Sequence, residues 1–174
     1  MGTAAFLKAD KEKEDYMNRA ITEALRGQFN STLHMAEVLV DVCPDRVWET
    51  SYNEVPFWQQ VFHVVWFIDF WMREDYECDG EWRSMLFDDA YTTDLYAASY
   101  DGLLISRKDM RQYLKAIREK TARIFDRLWD GLLGEAAVDP GSLYGYTYTD
   151  IITGQIRHIM YNIGYLNGIL REQG

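Results

Sequence analysis

One run of the chain limits its folding more than any other: Pro56-Phe-Trp-Gln-Gln-Val-Phe-His-Val-Val-Trp-Phe-Ile-Asp-Phe-Trp71. It holds almost no charge. Its opening proline suits a first helical turn, where the missing N–H would have no intrahelical partner anyway. The spacing predicts a helix from about Pro56 to Tyr76 that is apolar on nearly every side. A helix of that kind is stable in water only when other elements cover several of its faces. The rest of the chain must therefore supply those elements.

Three further segments have helical periodicity. The first runs from about Asp10 to Val42, with Leu25, Phe29, Thr32, Ala36 and Leu39 as its apolar stripe, and Pro44 ends it. Another runs from about Arg107 to Leu132. Ser106 is its expected N-cap, Asp109 lies in its first turn, and its stripe is Tyr113, Ile117, Thr121, Ile124 and Leu128. The last runs from about Thr149 to Glu172. Ile152, Ile156, Ile159, Ile163, Leu166 and Leu170 alternate four- and three-residue steps, the seam of a helical bundle. No β pattern competes, and Gly141 to Tyr148 reads as loop.

The expected fold is all-α: one domain over residues 1–174, a four-helix bundle. About thirty residues, from Glu77 to Ser106, join the second helix to the third, well beyond a simple hairpin link. A link that long lets the chain cross the bundle, so the expected order is up, down, down, up.

The net charge of −10 argues against a nucleic-acid partner, because phosphate binding needs clustered Lys and Arg. No stretch of eighteen apolar residues suggests a membrane span, and the expected compartment is the cytoplasm. Cys43 and Cys78 read as reduced thiols. Aromatic residues make up 15% of the chain, which suggests a bulky core, an aromatic-lined cavity or a partner surface.

Only three histidines occur, and two fall on apolar helices. His63 shares a stripe with Gln59, Trp66 and Phe70. It reads either as a core histidine bonded to Gln59 or a backbone carbonyl, or as a ligand. His158 lies beside the last helix's seam, on the stripe Gln155, His158, Asn162, Tyr165, Ile169. Residues four apart share a helical face, so His158 and Asn162 either point at one centre or simply bond to each other. His34 sits on a mostly polar stripe, as a surface residue or as part of a pocket wall with Asn30 and Ser31. Asp69, inside the apolar helix, calls for a buried partner such as an arginine. No HExxH, P-loop, GxGxxG or GxSxG motif occurs.

The proline-started W-Q-Q-V-F-H-V-V-W helix, the long connection and the final R-H-I-M-Y-N-I-G-Y-L-N helix resemble the DinB/YfiT-like superfamily. The resemblance covers most of the chain. It implies a four-helix bundle, a tendency to homodimerise, and a divalent metal held by one histidine of the second helix and two of the fourth. Relatives include metal-dependent hydrolases and thiol transferases. His63 and His158 match two ligand positions, whereas Asn162 stands where the pattern has histidine. An amide oxygen is a hard, weak ligand, so Zn or Ni is expected to bind weakly or not at all.

Two classes of function follow. One is a metal-dependent hydrolase or thiol transferase with a His63, His158, Asn162 site, a pocket drawing on His34, Gln59, Trp66, Tyr161 and Tyr165, and a small-molecule substrate. The alternative is a non-catalytic dimeric bundle that binds a small ligand and has lost its metal.

Overall fold

The proline at position 56 sits just outside the helix it introduces. Its extended backbone (φ −57°, ψ 144°) caps a helix, α3, over Phe57–Trp71. The computed structural model describes residues 18–74, 84, 86–87, 90–99, 101–137 and 145–173. Within them lie α1 (Ala20–Val42), a short α2 (Asp45–Trp48), β1 (Ser51–Tyr52), β2 (Val55–Pro56), α3, α4 (Arg107–Arg127), a 3-10 turn (Asp130–Leu132) and α5 (Tyr148–Gln173). The architecture is predominantly helical. Among the described residues, no helix is long and apolar enough to cross a membrane.

The apolar stripes account for the packing. α3 buries Phe57, Trp58, Val61, Phe62, Val64, Val65 and Ile68, positions spread around most of its circumference. It can do so because α4 and α5 both lie against it, and the same two helices also lie against α1. The core joins Phe29, Leu33, Ala36 and Leu39 of α1 to Tyr113, Ile117 and Phe125 of α4 and to Ile152, Ile159, Ile163 and Leu166 of α5. Phe62 meets the Tyr113 ring with centroids 6.3 Å apart, and Phe29 meets Phe125 at 5.5 Å.

The caps follow local chemistry. Ser106 Oγ accepts the Asp109 N–H, as its position before α4 predicts. Pro44 follows the end of α1, whose C-cap Cys43 is already extended. Three boundaries differ from the sequence reading: α1 begins at Ala20, after the non-helical Asn18 and Arg19. α3 stops at Trp71 rather than near Tyr76, and α4 stops at Arg127, with a separate 3-10 turn following. The expected start at Asp10, the first half of the Gly141 to Tyr148 loop and Cys78 lie outside the described residues. Cys43 is a free, buried thiol.

A small antiparallel hairpin precedes α3, with Ser51 paired to Pro56 and Tyr52 to Val55. Its two turn residues, Asn53 and Glu54, both take positive φ (52° and 69°), as a primed two-residue turn requires. The amide of Gln60 donates to the Tyr52 and Val55 carbonyls at 3.0 and 2.9 Å, fastening the hairpin to α3. Two-residue strands are too short to leave alternation in the sequence.

Asp69, fully buried on α3, has the buried partner its position calls for, a lysine. Lys120 Nζ on α4 donates to Asp69 Oδ1 and to its backbone carbonyl, both at 2.6 Å. The Tyr113 hydroxyl donates to Oδ2 at 2.8 Å. At the opposite face of α4, Arg118 clasps Glu37 of α1 through two bonds of 2.7 Å, Arg111 meets Asp41, Arg107 meets Asp45, and Arg26 meets Asp126.

Candidate functional site

His63 projects from α3 and His158 from α5, and their Nε2 atoms face each other at 3.2 Å. The ring centroids are 5.2 Å apart. Phe67, one turn after His63, packs against both rings at 4.7 and 5.4 Å and restricts their rotation.

Hydrogen bonding decides where the protons sit. The Thr93 backbone carbonyl lies 2.7 Å from His63 Nδ1. A carbonyl only accepts, so Nδ1 carries the hydrogen and the neutral ring presents a lone pair at Nε2. Gln59 holds that carbonyl in place indirectly. Its amide donates to the Asp94 and Ala97 carbonyls at 2.9 and 2.8 Å, and its Oε1 accepts the Ser99 N–H at 2.7 Å.

Both imidazoles are held neutral. Burial pushes His63 below its ordinary range, and the Thr93 bond partly opposes this. Burial, followed by the nearby His63, lowers His158 to about 4. Neutral imidazole is the form that binds metal. Two ligands about 2.0–2.1 Å from a tetrahedral ion stand about 3.3 Å apart, which matches the spacing of the facing nitrogens. The same spacing also fits an N–H···N bond from His158 to His63. In that arrangement His158 Nδ1 becomes an acceptor; it is buried and has no hydrogen-bond partner.

The histidines lie on the wall of a cavity of about 420 Å³ between α3 and α5. Phe67, Trp71 and Tyr146 form an aromatic side, with Trp71 and Tyr146 edge-to-face at 5.4 Å. Gln155 belongs to the wall, and the exposed Asp150 and Arg157 stand at its rim. The Gln155 side chain is buried and its Oε1 has no hydrogen-bond partner.

Other residues expected at the site lie elsewhere. Asn162 does not line the cavity; its Nδ2 donates to the His158 carbonyl one turn back at 2.9 Å. His34 is exposed on α1 and bonds Glu37 at 3.3 Å, in a separate cleft toward Arg111 of α4. Gln59 is consumed by the 94–99 segment. Trp66 stacks on Phe70 at 5.2 Å instead of facing the histidines. Tyr161 is 79% exposed, because three residues beyond His158 turns it outward by about 60°. Tyr165 is exposed, and its hydroxyl accepts from Asn53 at 2.8 Å.

Among the described residues, no group of three or more His, Cys, Asp and Glu could hold a metal. The sequence reading missed Thr93, Trp71 and Tyr146. Thr93 acts through its backbone, which no side-chain pattern reports. The aromatic pair comes from segments far apart in sequence. Gln155 was visible on the His158 stripe, though only its unpartnered oxygen distinguishes it.

No family model matches the chain, and neither a curated protein nor a solved structure resembles it significantly.

Proposed function

We propose that this chain is a DinB-like, up-down-down-up four-helix bundle in which His63 and His158 hold a divalent metal that serves hydrolysis or group transfer on a small molecule. The observation that carries this reading is the pair of Nε2 atoms facing each other at 3.2 Å beside a cavity. The helix order is supported by side-chain pairs. Along α1, Arg26, Glu37 and Asp41 meet Asp126, Arg118 and Arg111, with numbers falling as α1 rises. Along α3, Phe62 and Asp69 meet Tyr113 and Lys120, with numbers rising together. His63 and Trp71 meet His158 and Tyr146, falling again.

A bound divalent ion lowers the pKa of a coordinated water or thiol and polarises a substrate oxygen. The protein's own residues prepare that site. Thr93 fixes the His63 tautomer, Phe67 locks both rings, and burial keeps both imidazoles unprotonated. The aromatic side accepts an apolar substrate body, and Arg157 at the rim attracts an anionic end. Exposed Met35, Val38 and Val42 of α1, with Met160 of α5, offer apolar surface for a homodimer.

The test is metal analysis of protein purified without a nickel column, followed by thermal melts with added Zn²⁺ or Ni²⁺. Saturation at about a hundred times Kd stabilises by about 2.7 kcal/mol, a rise of about 5–11 °C for a chain of this size. His63→Gln or His158→Gln abolishes it. A metal content near zero with no rise in melting temperature refutes the reading.

That no third histidine or carboxylate joins the pair among the described residues favours a second reading, a non-catalytic ligand-binding bundle. In that case Asn162→His creates metal binding that the parent lacks.

A further inference from the structure

Two facing imidazoles leave a metal short of protein donors, and the usual replacements are missing. Among the described residues, no Cys, Asp, Glu or further His joins the pair. The next available donor is an amide oxygen, and α5 carries two candidates beside His158: Gln155, three residues before it, and Asn162, four after it. Both positions share its helical face.

The two amides are in different states. Asn162 is tied to its own helix through the His158 carbonyl and stays off the cavity wall. Gln155 is only 6% exposed, lines the same cavity as both histidines, and holds a buried Oε1 with no hydrogen-bond partner. A buried carbonyl left without a partner is destabilising, and a metal ion in the cavity would satisfy it. Gln155-Ile-Arg-His158 also has the i, i+3 spacing by which Glu-x-x-His pairs project toward a metal inside helical bundles.

We propose that Gln155 Oε1, not Asn162, is the third protein ligand of the divalent metal held by His63 and His158; the inference rests on the metal reading above. With two neutral imidazoles and a neutral amide, the ion keeps its full charge. Such a site binds more weakly than a three-histidine one and draws anionic ligands to its open positions.

The experiment compares wild type with Gln155→Leu, Gln155→His, Asn162→Leu and His63→Gln. Each is stripped with a chelator, then titrated with Zn²⁺ in competition with a chromophoric chelator. X-ray absorption at the zinc edge counts coordinated imidazoles. Gln155→Leu is expected to weaken zinc binding about tenfold or more, and Asn162→Leu to change it less than about threefold. Gln155→His should tighten binding and add an imidazole to the wild-type pair. Stripped Gln155→Leu should melt no lower than stripped wild type, because it removes an unsatisfied oxygen. If Asn162→Leu weakens binding while Gln155→Leu does not, the proposal is overturned. It is also overturned if Gln155→His adds no imidazole, which would leave Gln155 a mere acceptor for the His158 Nδ1–H. Zinc that depends on His63 yet ignores residue 155 overturns this inference alone. No zinc binding in wild type overturns the metal reading with it.

Discussion

Replacing Lys120 with methionine removes a buried cation while nearly preserving its volume. In the native protein Asp69 is fully buried, and Lys120 is 8% exposed. Nζ supplies two 2.6 Å bonds, one to the carboxylate and one to the backbone carbonyl of the same residue. After the substitution Asp69 loses both bonds from the ammonium. The Tyr113 hydroxyl, 2.8 Å from Oδ2, cannot compensate for a missing ammonium. Breaking a buried ion pair by removing one partner costs about 3–5 kcal/mol. At about 2–4 °C per kcal/mol for a chain of this length, the melting temperature should fall by about 6–20 °C. Asp69→Asn alone should also destabilise, yet combined with Lys120→Met it should recover a large share of the loss, because both charges of the pair are then removed together. The assay is thermal and urea denaturation of the four proteins as a double-mutant cycle. A drop below about 3 °C for Lys120→Met, or strict additivity in the cycle, would refute the claim that this pair clamps α3 to α4.

Two further outcomes follow from the site. In metal-free protein the neutral His158 links stability to acidity. Its native pKa, about 4, lies below the ordinary 6.5, so above pH 6.5 both folded and unfolded forms are neutral and no penalty arises. As pH falls from 6.5 to about 4 the unfolded chain takes up the proton first, and stability drops by about 1–2 kcal/mol after allowance for solvent screening at the open cavity. His158→Phe should flatten that part of the urea-denaturation pH profile relative to wild type; an unchanged slope would contradict it. Gln59→Ala should cost about 2–3 kcal/mol by stranding the groups its amide satisfies. It should also speed amide hydrogen exchange across 93–99 and, by freeing the Thr93 carbonyl, weaken metal binding about 10–100-fold. Exchange as slow as in wild type would show that Gln59 does not hold this segment.

The helices were legible because their determinants are local. Periodic apolar residues, Ser106 before α4 and Pro44 after α1 mark the elements, and nearly all the predicted stripe positions are buried. The hairpin at Ser51 to Pro56 was not legible: its turn rests on two non-glycine residues at positive φ, and its strands are too short to show a period. The ends of α3 and α4 were overestimated for a related reason. Met72 follows Trp71, and Leu128 and Leu133 follow Arg127; all three are buried in the core without extending their helices.

By itself the sequence determined that helices form, which faces they bury, and that two of three histidines lie on or beside those faces. These follow from side-chain spacing and backbone preference within one segment. Only the tertiary structure decided which groups meet. It set the two Nε2 atoms 3.2 Å apart, brought the Thr93 carbonyl to His63, paired Asp69 with Lys120, and left the Gln155 oxygen buried without a hydrogen bond. Asn162 and Gln155 look equivalent along the helix, since both stand within a turn of His158. What separates them is where α3 lies against α5, and that depends on the packing of whole helices rather than on any local run of residues.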